Sequence, residues 1–273
     1  MQAKICFIGA GNMSRSLIGG LIQSGYPANQ IWAADPSPQA LESLKQSFSI
    51  KGFNDNLEAI DSADIIVLAV KPQQLKPLCQ SIAAKVQQTK PLIISVAAGV
   101  QTASINSWLG SNQSIVRTMP NTPALIQTGA TGLFASNNIT PLQKDEAENI
   151  LRAAGLTIWV TDEAQLDIVT ALSGSGPAYF FLFMEAMQSA GEKLGLDRKT
   201  AELLTMQTAF GAAKMALESD DDCATLRRKV TSPNGTTERA IQSFEQNQLT
   251  LTVEKAMQAA HQRAQQLAKE LGE

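Results

Sequence analysis

The sequence predicts an α/β amino-terminal domain built on a mostly parallel sheet, followed by an all-α carboxy-terminal domain. Three observations predict it. A strand-like run, Lys4-Ile5-Cys6-Phe7-Ile8, leads straight into Gly9-Ala10-Gly11-Asn12-Met13-Ser14. Short β-rich runs then alternate with helical ones up to about Val160, the pattern of repeated βα units. From Ala164 onward the β pattern disappears and helical periodicity takes over. The boundary is placed at residue 160, which gives domains 1–160 and 161–273.

In the first unit Gly9 permits a tight turn, and Gly11 lets the main chain approach an anion. The helix predicted from Ser14 to Ser24 aims free N–H groups and its positive dipole end at that anion. This is the dinucleotide fingerprint of a Rossmann domain, with Ser14 standing where Gly or Ala is usual. The second strand, Gln30 to Ala34, ends at Asp35. There a carboxylate takes ribose hydroxyls, or else serves a turn or helix cap. Its charge repels a 2′-phosphate and favours NADH, whereas Ser37 is able to donate to a phosphate and keeps NADPH open. A helix from Gln39 to Phe48 follows.

Asp64 to Val70 is apolar on both faces, as a buried parallel strand should be. Strands at 92–96 and 114–117 come next, and 128–135 and 156–161 extend the sheet at its edge. Between the last two, Thr140-Pro141-Leu142-Gln143 starts a helix with a capping box, and Gly155 ends it. Ligands in such sheets sit at strand ends, so the segments there matter. Lys71, in Ala69-Val70-Lys71-Pro72-Gln73, projects beside the dinucleotide or into solvent. The small residues of Ala97-Ala98-Gly99-Val100 let a nicotinamide ring lie on backbone, or form a plain turn. Asn56 either reaches the adenosine side or caps a helix over 57–60. The loop Arg117 to Ala124 has two prolines; its Asn and Thr face substrate or tie the loop to itself.

Helices are predicted over 177–194, 197–218, 235–246 and 250–271, with Gly195 and Asp197 as stop and cap. Ala178 to Met187 is apolar almost all round, so it is buried by other helices, either in part against a second copy of the chain or within an ordinary monomer core. Thr170 to Tyr179 sets small residues before a Pro-started helix. Val230 to Glu238 is a second anion-binding candidate. Gly and Thr amides at a helix start, with the Ser232 and Thr237 hydroxyls, suit a small carboxylate; simple N-capping is the bland reading of the same residues.

Composition narrows the function. The chain has 273 residues, 44% hydrophobic and 17% charged, which fits a soluble two-domain protein. A net charge of −3, with Arg227-Arg228-Lys229 the single basic cluster, argues against nucleic acid as a partner. No run is expected to approach the roughly 20 apolar residues of a membrane span, and the first apolar run is too short for a signal peptide. Three scattered cysteines, Cys6, Cys79 and Cys223, fit a reduced, cytoplasmic protein. The one histidine, His261, lies in a helical run far from any motif. Chemistry that needs imidazole, whether a triad, a His-ligated metal or a His acid, is therefore not expected.

Six segments together are more specific than the glycine fingerprint. Phe7 to Met13, Ala69 to Gln73, Ser95 to Val100, Arg117 to Ala124, Thr170 to Tyr179 and Val230 to Thr237 occur in the order found in pyrroline-5-carboxylate reductases. The resemblance runs essentially end to end. It implies a Rossmann domain followed by a helical dimerisation domain, in homodimers that often assemble into decamers. The implied reaction is reduction of 1-pyrroline-5-carboxylate to L-proline with NADPH or NADH. Carried over, Ile8, Gly9, Ala10, Gly11, Asn12 and Met13 hold the pyrophosphate. Asn56, Ala69, Val70, Lys71, Pro72 and Ala97 line the dinucleotide. Ser232, Gly235, Thr236 and Thr237 hold the substrate carboxylate across the dimer interface, Glu163 stands on the substrate side, and Thr170 orients the imine. Asn234 departs from the usual second glycine, and Asp35 leaves the cofactor preference open. A 3-hydroxyacid dehydrogenase is the nearest rival, but the lysine it needs is absent from Pro177-Ala178-Tyr179-Phe180. A reductase of another cyclic imine is harder to reject. A non-catalytic nucleotide sensor on the same fold predicts a ruined carboxylate loop, whereas the 230–237 segment is intact.

Overall fold

The first strand, β1 (Ile5–Ile8), is buried along its whole length and pairs in parallel with β2 (Ile31–Ala34) on one side and β4 (Ile65–Leu68) on the other. A computed structural model describes residues 2–272. Between these strands lie α1 (Asn12–Gln23), α2 (Pro38–Phe48), the short β3 (Lys51–Phe53) and α3 (Asn56–Ala59). The chain continues through α4 (Pro72–Thr89), β5 (Leu92–Ser95), α5 (Thr102–Trp108), β6 (Ser114–Met119), β7 (Gly129–Ala135), α6 (Pro141–Arg152) and β8 (Gly155–Trp159). The sheet order is β3-β2-β1-β4-β5-β6-β7-β8. All pairs are parallel except β6 with β7. The connection between those two holds only a 3-10 turn, Thr122–Ile126, too short for the crossover that a parallel return needs.

Alternate residues of the central strands face opposite layers, and both layers are dry. Ile5, Phe7, Ile31, Val67 and Ile94 pack with Leu17, Ile18, Leu41 and Leu44 from α1 and α2. Cys6, Ile8, Ile66, Leu68 and Ile93 pack with Leu75, Ile82 and Val86 from α4. Burial pushes the Cys6 and Cys79 thiols up to about 12. The predicted capping box is present: Thr140 Oγ1 accepts from Gln143 N, and the Gln143 carboxamide accepts from Thr140 N.

The chain divides into two compact units. One comprises residues up to Ser175 together with those from Ala260 onward; the other is Gly176–Ala259. The break thus follows Ser175, where the sequence placed a boundary at 160. The first unit also contains α7 (Gln165–Val169), a π-helical turn at Thr170–Gly174, and the end of the last helix, α12 (Leu249–Gly272). The second contains α8 (Gly176–Lys193), α9 (Arg198–Glu218), α10 (Cys223–Lys229), α11 (Thr236–Gln246) and the start of α12. Within it Phe183 of α8 meets Phe244 of α11 at 6.1 Å between ring centroids. Asp197 caps α9 and Asp222 caps α10, and the basic cluster Arg227-Arg228-Lys229 occupies the last turn of α10, where it complements the helix dipole.

Two expectations need correction. Gln165–Lys193 forms a continuous 29-residue helical stretch with a mean hydropathy of 1.3, long and apolar enough to cross a membrane by length and composition. The sequence predicts a helix start at 177; the π turn at Thr170–Gly174 instead joins that helix to α7. Nor does a single chain bury α8: Phe180, Phe181 and Leu182 are each more than 60% exposed. The large apolar residues of α9, Leu203, Leu204 and Phe210, are open as well.

Candidate functional site

The dinucleotide candidate is built where β1 ends. Gly9 sits at φ +105, and a Cβ there would lie 2.8 Å from the Ala69 carbonyl carbon and closer still to its oxygen, so glycine is required on both counts. Gly11 is the N-cap of α1 at an ordinary φ of −78, with nothing near the position of an added Cβ. No side chain caps α1, so the first N–H groups, from Asn12 and Met13 on, face open space. That combination suits a diphosphate. Ser14, the imperfect fingerprint position, is fully buried and donates from Oγ to the Gly9 carbonyl at 2.5 Å. Its hydroxyl pins the turn that a third glycine would merely fit.

Asp35 proves to be a turn carboxylate first. Its Oδ2 accepts from Ala10 N and its Oδ1 from Ser37 N, each at 2.8 Å, tying the glycine turn to the end of β2. Each oxygen keeps a lone pair for a ribose hydroxyl. Ser37 caps α2, accepting from Ala40 N at 3.3 Å, and is exposed. Asn56 does not cap α3, because Asp55 does. The Asn56 side chain instead lines a cleft of about 370 Å³ with Ile8, Gly9, Asp35, Val70 and Gln74. Lys71 is the exposed N-cap residue of α4, with Pro72 in the first turn after it. Ala97 is buried below Gly99, whose φ is +77 and which packs on Leu267 and Leu271 of α12. A larger hollow of about 540 Å³ lies among Ala3, Tyr26 and Glu146 near the start of the sheet strands, but none of the expected residues lines it.

Thr170 opens the π turn and donates from Oγ1 to Leu166 O at 2.7 Å, which leaves its oxygen free to accept. Single π turns concentrate at functional positions because the widened ring displaces the backbone. Glu163 is engaged internally. Its Oε1 accepts from Thr102 N at 2.7 Å and from Arg117 Nη1 at 3.1 Å, and its Oε2 accepts from Thr102 Oγ1 at 2.8 Å. Arg117, only 3% exposed, also reaches Asp167 at 3.5 Å. No pattern in the sequence signals this pairing, since the partners are far apart along the chain. The loop after β6 is tied both to itself and outward: Ala124 N donates to Asn121 O at 3.1 Å and Ala130 N to Asn121 Oδ1 at 2.9 Å, while Asn121 Nδ2 donates to Ser173 O at 3.0 Å; within β6, Thr118 Oγ1 donates to Ser95 O at 3.0 Å.

The second anion candidate lies in the second unit. Gly235 is the N-cap of α11, no side chain caps the helix, and an added Cβ would come within 2.7 Å of Ser232 Oγ. Thr236 and Thr237 follow as the first helical residues. Asn234 stands at φ +59, the left-handed region, which explains why asparagine can replace glycine there. Its N–H donates to the Glu238 carboxylate at 2.8 Å. Among the described residues no group of His, Cys, Asp and Glu is arranged to hold a metal.

Comparison with known proteins covers both halves. A family model described as pyrroline-5-carboxylate reductase dimerisation matches residues 163–267, and one described as NADP oxidoreductase, coenzyme F420-dependent, matches 4–99. A pyrroline-5-carboxylate reductase of Pseudomonas aeruginosa is 53% identical over 270 residues, covering 99% of this chain and 98% of the relative. The structure of such a reductase from Coxiella burnetii is 48% identical at a TM-score of 0.95, over 98% of this chain and 99% of that one. A Plasmodium falciparum pyrroline carboxylate reductase, solved with NADP bound, is 30% identical at a TM-score of 0.86, over 98% of each chain. The dimerisation model and this depth of full-length identity agree on one conclusion: the chain belongs to the pyrroline-5-carboxylate reductase family.

Proposed function

We infer that this chain reduces 1-pyrroline-5-carboxylate to L-proline, consuming one NADPH or NADH and one proton. The observation that carries the reading is the pair of helix starts without a side-chain cap, α1 at Gly11 and α11 at Gly235. When bound, the reduced nicotinamide supplies the hydride. The chain supplies position. Gly9 to Met13 hold the diphosphate, and Ile8, Asp35, Ser37 and Asn56 line the adenosine side. Ala69 to Pro72 and Ala97 face the nicotinamide half. Ser232, Gly235, Thr236 and Thr237 hold the substrate carboxylate and so fix which face of the ring is attacked. Thr170 accepts from the protonated imine nitrogen. A protonated C=N bond is already a strong electrophile and takes its proton from water, so the lack of a histidine near the site is no obstacle. Most of the rate then comes from proximity.

The exposed face of α8 and α9 supports self-association as a homodimer or a larger ring, with the carboxylate loop serving the partner's cofactor. No nucleic acid or membrane is needed, and the cytoplasm is the compartment that fits three unpaired cysteines. The test is oxidation of NADPH and NADH on addition of pyrroline-5-carboxylate, with a six-membered cyclic imine and a 3-hydroxyacid in parallel. Turnover of the five-membered imine alone supports the reading; turnover only of a 3-hydroxyacid with the oxidised cofactor overturns it.

A further inference from the structure

We propose that Arg117, Glu163 and Asn121 form a positioning clamp that sets the loop after β5 against the turn carrying Thr170, and that Glu163 acts through this clamp without touching substrate. The inference rests on the reductase reading above. The loop 97–101 ends at Thr102, the first residue of α5. Gln101, the cap residue, gives that helix no side-chain acceptor, and Glu163 provides one from a distance of 61 residues, bonding both the N–H and the hydroxyl of Thr102. The same carboxylate receives Arg117, and Arg117 in turn reaches Asp167 in α7, three residues ahead of Thr170. Asn121 completes the hold from the other side by donating to Ser173 O inside the π turn, while its Oδ1 accepts from Ala130 N at 2.9 Å. One strand and its following loop thus grip the start of α5, the helix leading into the π turn and the far end of that turn.

Burying a guanidinium at 4% side-chain exposure against carboxylates at 19% and 9% is a poor way to gain stability, since apolar residues of equal volume do as well or better. What such a network does supply is fixed direction, because Nη1 and Nη2 of Arg117 each meet a different carboxylate and both Thr102 donors meet Glu163. Hydride transfer is sensitive to that: a displacement of about 1 Å costs on the order of 100-fold.

The experiment compares the full-length enzyme with Asn121→Ala and Glu163→Gln, using cofactor deuterated at the transferred hydrogen of C4. Asn121→Ala leaves the buried charges intact and so keeps the fold. Both variants are expected to lower kcat roughly 10- to 100-fold, to leave the KM for NADPH within about twofold, and to raise the deuterium isotope effect on kcat as the hydride step becomes slower. Leu44→Ala, in the core between α2 and the sheet, is the structural control: Tm falls and the isotope effect stays at the wild-type value. Variants that lose activity with an unchanged isotope effect overturn the clamp, as do variants with unchanged kcat. A loss confined to the KM for the imine acid overturns it too, by putting Glu163 on the substrate. Wild-type enzyme that oxidises no cofactor overturns the reductase reading itself, whereas active wild type with indifferent variants overturns the clamp alone.

Discussion

Gly9 and Gly11 stand two residues apart in one turn, yet alanine at each should fail in a different way. At Gly9 the backbone sits at φ +105, where an L side chain costs at least about 1–2 kcal/mol. The new Cβ would also lie 2.8 Å from the Ala69 carbonyl carbon and nearer still to its oxygen, against a floor of 3.0 Å for real contacts. The Ala69 backbone must retreat, which strains its bond from N to Ile8 O and costs about 1 kcal/mol more. The total of about 2–3 kcal/mol corresponds to a fall in Tm of roughly 5–10 °C without any ligand. At Gly11, φ is −78 and nothing lies near the added atom, so Gly11→Ala should leave the ligand-free Tm within about 1 °C. Its methyl group instead occupies the space of the diphosphate, and the Kd for NADPH should rise at least about tenfold, or about 1.4 kcal/mol. Differential scanning fluorimetry and fluorescence titration with NADPH read the two quantities separately. The reasoning is refuted if Gly11→Ala binds NADPH as wild type does, or if Gly9→Ala melts with it.

Thr237→Ala should raise the KM for the imine acid by about tenfold while moving the KM for NADPH less than twofold, one lost hydrogen bond to a charged group being enough; equal constants in steady-state assays would remove Thr237 from the site. Asp35→Asn keeps one acceptor for the turn but removes the charge. At roughly 5 Å in water-like surroundings this relieves about 0.8 kcal/mol per unit of phosphate charge, so the ratio of kcat/KM values should move towards NADPH by about tenfold. Cys6 and Cys79, held as neutral thiols up to about 12, should not react with a thiol reagent at pH 8, so at most one thiol titrates before unfolding. Above pH 9 the unfolded chain releases those two protons and the native state does not; stability present below the ordinary value of 9.0 is therefore lost as pH climbs to about 12, visible in denaturant midpoints.

The central parallel strands were readable because they are apolar on both faces, a pattern few other elements share. β3 was not: Lys51-Gly52-Phe53 is too short to show a period and exposes its first residue. The helix starts at Thr140, Asp197 and Gly235 were readable because their signals are local chemistry. The distinction between Asp55 and Asn56 was not, since both side chains cap helices well and only the backbone decides which one precedes the first turn. Asp35 shows the same limit, because spacing locates a carboxylate at the end of β2 without telling whether main chain or ribose receives it. Arg117 in a buried strand looks like an ordinary strand-end cation until Glu163 and Asp167 are brought beside it, a matter of tertiary placement alone. The π turn leaves no trace either, since its residues suit an α-helix equally well.

The packing of Gly99 on Leu267 and Leu271 ties the order of synthesis to the readiness of the enzyme. Ser104 donates to Gly272 O across 168 residues of chain, so the packing behind the loop at 97–101 is completed by residues translated long after the rest of that unit. A nascent chain held on the ribosome before α12 emerges should have its sheet in place while the loop at 97–101 still lacks the two leucines that back Gly99.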